Sequence, residues 1–145
     1  MAITSAICTS FKQELLVGTH NFTATTGNTF KIALYTSSAT LGAGTTAFSS
    51  SNEITNTSGT AYTSGGATLT SVTPTTDSTT AVCDFADVSF THASFTANGA
   101  LIYNDTQSDK AVAVIAFGGD KTVSSGTFTI QFPTADATNA IIRLA

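Results

Sequence analysis

Tryptophan is absent, and cysteine, proline and methionine number 2, 2 and 1 in a chain of 145 residues. Charge is scarce too: Lys and Arg number 5 and Asp and Glu 9, so charged residues make up 10% of the chain, where an ordinary soluble domain carries about 25%. Five cations with no basic run cannot form the Lys and Arg cluster that phosphate binding needs, which argues against nucleic acid as a partner and against a polybasic membrane anchor. No stretch approaches the roughly 18 consecutive apolar residues of a membrane-spanning helix. Residues 1–7 carry no positive side chain, and Lys12 and Glu14 interrupt the residues after them, so no signal peptide is read and synthesis in the cytoplasm is expected. Cys8 and Cys83, far apart in such a chain, are expected to be buried small hydrophobes and not a disulfide.

Reactive groups are equally thin. His20 and His92 each stand alone among Ser, Thr and Asn, without a second metal ligand at close spacing. Asp84 and Asp87 bracket a strand, and Asp105 and Asp109 share a turn with Asn104; the spacing fits no EF-hand loop, and turn formation accounts for them. No Ser stands in a G-x-S-x-G elbow, and Gly42-Ala43-Gly44 is loop glycine without a phosphate-binding pattern. The only glutamates are Glu14, assigned to a helix start, and Glu53, too few for a readable glycosidase pair. Asn21-Phe22-Thr23, Asn56-Thr57-Ser58 and Asn104-Asp105-Thr106 match the glycosylation acceptor as chance matches in a Thr-rich chain. The expectation is a non-enzyme with no catalytic residue, metal or cofactor.

What the chain does have is Ser and Thr, roughly a third of all residues, beside 41% hydrophobic residues. Thr is β-branched and comfortable on a half-exposed pleated surface, so the bias argues for strands. The one helix candidate lies near residues 11–17: Ser10 and Gln13 have the spacing of a capping box, and Gly18 stands where a helix stops. Ile3, Ile7, Phe11 and Leu15 recur every four residues and give an N-terminal arm, residues 1–27, an apolar stripe. Such an arm either caps an open end of the domain, the reading we favour, or docks on a neighbouring subunit, and these four are the candidate subunit or capsid contacts.

From Asn28 the pattern turns to period two. Phe30, Ile32 and Leu34 share one face of a strand; residues 41–67 form a Gly- and Ser-rich excursion expected to be exposed; residues 74–80 form a polar turn; and 82–90 alternate again. Four more runs lie at 100–103, 111–117, 128–132 and 140–144, with turns expected at Gly118-Gly119-Asp120 and Ser124-Ser125-Gly126. The run 111–117 is apolar on both faces, which marks a central strand. About eight short strands over residues 28–145 predict an all-β, single-domain β-sandwich of Greek-key or jelly-roll type, with an up-and-down barrel as the alternative.

Phe30-Lys31-Ile32-Ala33-Leu34-Tyr35-Thr36, Ala97-Asn98-Gly99-Ala100-Leu101-Ile102-Tyr103-Asn104, Phe117-Gly118-Gly119-Asp120-Lys121 and the closing Ala140-Ile141-Ile142-Arg143-Leu144-Ala145 resemble small structural proteins of tailed bacteriophages. The similarity spans nearly the whole chain from Phe11-Lys12-Gln13-Glu14-Leu15-Leu16 onward and rests on fold-forming segments. It implies a virion component made in the host cytoplasm, foremost a capsid decoration (cement) protein on the capsid exterior. Its partner would be the major capsid protein, and by analogy it would be a homo-oligomer, a trimer. The alternative is a receptor- or glycan-recognition module of a tail or head fibre, with Tyr35, Tyr62 and Tyr103 as contacts.

Overall fold

A computed structural model describes residues 2–55 and 62–145; the Asn56-Thr57-Ser58 sequon lies outside the described residues. The chain is a β-sandwich built from strands β1 (Ala6–Ile7), β2 (Phe30–Tyr35), β3 (Ala67–Thr68), β4 (Ser71–Asp77), β5 (Thr80–Phe85), β6 (Val88–Asn104), β7 (Lys110–Ile130) and β8 (Ile142–Leu144), with helix α1 (Thr9–Leu16) between β1 and β2. One sheet has the order β1-β7-β6-β2-β3 and the other β4-β5-β8, with every strand pair antiparallel. Aromatic rings join them: Phe22 stacks on Phe30 at 4.3 Å between centroids, Phe30 meets Phe85 of the second sheet at 5.6 Å, and Phe85 meets Phe132 at 6.1 Å.

The core strands follow from their patterns. Residues 111–114 of β7 and 99–104 of β6 are buried on both faces, as an apolar run in a central position must be. The strands are longer and fewer in the last third than expected. Gly118-Gly119-Asp120 and Ser124-Ser125-Gly126 are not turns but irregularities inside the 21-residue β7, which pairs along its length with the 17-residue β6. Ala97 opposes Lys121 and Gly99 opposes Ala116, so four residues of β7 bulge out opposite Asn98, with Gly118 at φ 77° and Gly119 at φ 146°. Beyond this bulge residues 88–97 and 121–130 form a two-stranded ribbon.

Two further boundaries move. The run 82–90 breaks at Ala86-Asp87, where the chain leaves the second sheet for the first. Pro74 lies within β4, beside an irregularity between Val72 and Thr75 on an edge strand where a missing N–H is tolerated, and the turn falls at Ser78, φ 56°.

The helix forms, but Cys8 is its N-cap and no side chain caps it; Ser10 is the second residue of the helix, its hydroxyl buried without a hydrogen-bond partner. The end is better specified. Thr19 donates its N–H to Glu14 O at 3.0 Å and Gly18 to Leu15 O at 3.2 Å, with Gly18 at φ 77°, a Schellman ending. The arm turns back on its own sandwich: β1 adds an edge strand to β7, Ile3 bridges to Leu41, and Cys8 and Phe11 join the core. Gly99 makes room for it, since a Cβ there would lie 2.7 Å from Ile3 Cγ2.

Candidate functional site

Two buried polar clusters organise the regions around the sheets. In the first, Glu14 Oε2 pairs with Lys110 Nζ at 2.9 Å and Glu14 Oε1 lies 3.4 Å from His20 Nε2. His20 Nδ1 meets Asn104 Nδ2 at 2.9 Å, and that nitrogen also donates to Asn28 Oδ1 at 2.9 Å. The imidazole packs among Phe11, Phe22 and Phe30 at 4.8, 6.5 and 6.4 Å between centroids. Burial holds its pKa below the ordinary imidazole range against the opposing pull of Glu14.

In the second, Glu53 accepts the Tyr62 hydroxyl at 2.6 Å, the Gly65 N–H at 2.7 Å and the Ser64 hydroxyl at 2.9 Å. The Tyr62 oxygen accepts Leu34 N–H at 3.0 Å, the Tyr35 hydroxyl donates to Ser49 O at 2.7 Å and the Tyr103 hydroxyl to Gly65 O at 2.6 Å. The excursion at 41–67 is tied to the sheet at Glu53, Tyr62 and Gly65, while residues 43–44, 46–47 and 49–52 are exposed, as its composition leads one to expect. Burial pushes all three tyrosine hydroxyls well above their ordinary range. Buried and internally bonded, Tyr35, Tyr62 and Tyr103 have almost no surface to offer a glycan as placed.

Cys8 and Cys83 are buried free thiols, pushed up by burial to about 11 and about 12 respectively. His92 sits exposed on β6 at an irregularity, φ 52°. Asp87 accepts the Phe132 N–H at 2.8 Å and Asp84 the N–H of Phe85 at 2.8 Å, backbone-holding roles. Among the described residues no three His, Cys, Asp or Glu side chains are grouped to hold a metal ion.

The surface is more informative. A groove of about 440 Å³ opens between the end of α1 and the second sheet, with Leu15, Phe22, Pro74, Val82, Ile142 and Leu144 in its wall. Leu16 is 88% exposed, Val17 67%, Leu144 57% and Val72 44%. Leu144 lines the groove, Leu16 and Val17 lie between its lining residues Leu15 and Gly18, and Val72 is two residues from Pro74. A second apolar groove, also about 440 Å³, runs beside β1 and β7 and takes in Ile7, Ile115, Ile130, Phe132 and Ile141.

Of the four arm residues singled out from the sequence, Phe11 is 1% exposed and has no surface to offer a partner as placed, because it packs on His20 and Phe22. Ile3, Ile7 and Leu15 are partly buried against the same core. Leu15 reaches the first groove and Ile7 the second, while Ile3 packs at Gly99. The exposed apolar residues that the four-residue spacing passes over are Leu16 and Val17; the run Leu15-Leu16-Val17 is the signal that marks them, since a short helix cannot turn three consecutive apolar residues inward.

No family model, no curated protein and no solved structure matches this chain.

Proposed function

We propose that the protein is a non-enzymatic virion structural protein: a capsid decoration (cement) protein that binds the assembled major capsid protein on the capsid exterior and reinforces the shell. The observation that carries this reading is the apolar groove between α1 and the second sheet, with exposed Leu144 in its wall and exposed Leu16 and Val17 in the chain between its lining residues Leu15 and Gly18. Large apolar side chains collected at one place on a small domain mark a surface that another molecule covers. The resemblance to phage structural proteins supplies the class of that molecule. Each copy would add an interface of about 800–1,600 Å², and many such interfaces raise the free energy needed to part neighbouring capsomers. A trimer belongs to the proposal by analogy.

Quantitative mass spectrometry of purified virions tests it. Copies in fixed ratio to the major capsid protein, on the order of hundreds, are expected; absence from the particle would overturn the reading. A second reading, a fibre-borne glycan-recognition module, is favoured by the outer face of the β6–β7 ribbon. There Ser89 and Thr129, and Thr96 and Thr122, stand exposed as hydrogen-bonded pairs at 2.9 Å, and at the adjoining bulge Asn98 donates to Asp120 at 2.9 Å. That reading predicts a handful of copies per virion and host-glycan binding weakened by Thr96→Ala.

A further inference from the structure

The network behind α1 fixes where one proton sits. Asn28 Oδ1 accepts the Asn21 N–H at 2.8 Å, so the atom Asn104 turns toward it at 2.9 Å is the amide nitrogen. Asn104 Oδ1 in turn shares the Gln107 N–H with the Asn104 backbone carbonyl, both at 3.2 Å, which agrees with that orientation. Asn104 therefore donates toward His20 Nδ1 at 2.9 Å, and Nδ1 is an unprotonated acceptor by this assignment. The ring proton lies on Nε2, which faces Glu14.

A second proton can go only to Nδ1, where it meets a donor. Turning the Asn104 amide over gives no relief, because it sets two oxygens against each other at Asn28. Burial among Phe11, Phe22 and Phe30 opposes the charged ring most; the Glu14 carboxylate on α1 favours it, and the Lys110 ammonium on β7 opposes it. The cluster ties three parts together: Glu14 on α1, His20 and Asn28 on the following loop, and Asn104 and Lys110 at the closed end of the β6–β7 hairpin.

We propose that His20 is an acid-sensitive latch: protonation at Nδ1 sets donor against donor at Asn104, and α1 with its loop detaches from the hairpin while the central strands stay paired. Detachment uncovers Phe11 and Phe22, which are buried while the latch is closed. The fold prefers the neutral ring, so the latch contributes fully above the unfolded-state value of about 6.5 and is lost as pH falls through the lower folded-state value. The inference stands apart from the virion reading, since it concerns the chain alone.

Hydrogen exchange of the full chain at ~pH 7.5 and ~pH 4.5, corrected for intrinsic rates, reads it directly. Protection over residues 9–17 is expected to be lost at the lower pH, with residues 30–35 and 111–116 holding theirs. His20→Gln keeps an acceptor for Asn104 and a donor for Glu14 yet cannot be protonated, so its helix protection is expected to be equal at both pH values; His92→Gln is expected to behave as wild type. Equal wild-type protection, or an acid transition that survives in His20→Gln, overturns the proposal. Should that variant fail to fold, imidazole nitrogen NMR of the wild type decides. The Nε2–H tautomer, titrating below the ordinary range with the α1 amides following its midpoint, supports the latch; an Nδ1–H tautomer at neutral pH, or α1 amides that ignore the midpoint, overturns it.

Discussion

Glu53 shows how much one side chain can hold. Its two oxygens take three donors from residues 62–65, and one of those donors, the Tyr62 hydroxyl, also receives the Leu34 N–H from near the end of β2. Glu53→Ala leaves these groups without their acceptor and is expected to cost about 3 kcal/mol or more, read as a lower urea midpoint at unchanged slope. Tyr62→Phe should cost about 1–3 kcal/mol, and the double variant less than the sum, because both act on the same contact. At Cys8 and Cys83 burial has a chemical consequence instead. It raises both thiols to about 11 and about 12, so at neutral pH the reactive thiolate is rarer than in an ordinary cysteine. Native protein should be alkylated slowly at both positions and quickly once unfolded, measurable by mass spectrometry across a urea series.

Among the elements, the arm depends on Gly99. A methyl group there would press on Ile3, which anchors the chain ahead of β1 beside Leu41. Gly99→Ala is expected to loosen residues 2–8 and speed tryptic cleavage after Lys12, while Gly18→Ala, which meets no neighbouring atom but keeps φ at 77°, should cost only about 1 kcal/mol. The central strands were legible because a run such as 111–114 with apolar residues on both faces fits only a covered position, and Gly18 marked the helix end correctly. The glycines at 118 and 119 were misleading, since the same conformational freedom serves a hairpin turn and a bulge within a strand. The spacing of Ile3, Ile7, Phe11 and Leu15 showed an apolar stripe but not which surface it meets. The Glu14–His20–Asn104 cluster lay beyond pattern reading altogether, because His20 and Asn104 are 84 residues apart and meet only through the fold.

For the molecule as a whole, the surface around α1 is the part to perturb. Removing the arm would take Cys8 and Phe11 out of the core, so exposed positions make the sharper test. Leu16→Ser combined with Leu144→Ser should leave the melting temperature within a few degrees of wild type, since neither side chain is buried, and, under the proposed decoration role, should weaken binding to assembled capsids. Co-sedimentation with shells lacking the protein measures it; undiminished binding would move the contact elsewhere. The β6–β7 ribbon has a different consequence. Its outer face is joined by hydroxyl–hydroxyl contacts, and among the described residues the one pair of opposite charges is Glu14 with Lys110, the His20 ring beside them being neutral. A fold cohering largely through hydroxyl pairs and buried rings offers dissolved salt little to screen, so its unfolding temperature should hardly move between dilute buffer and ~0.2 M sodium chloride.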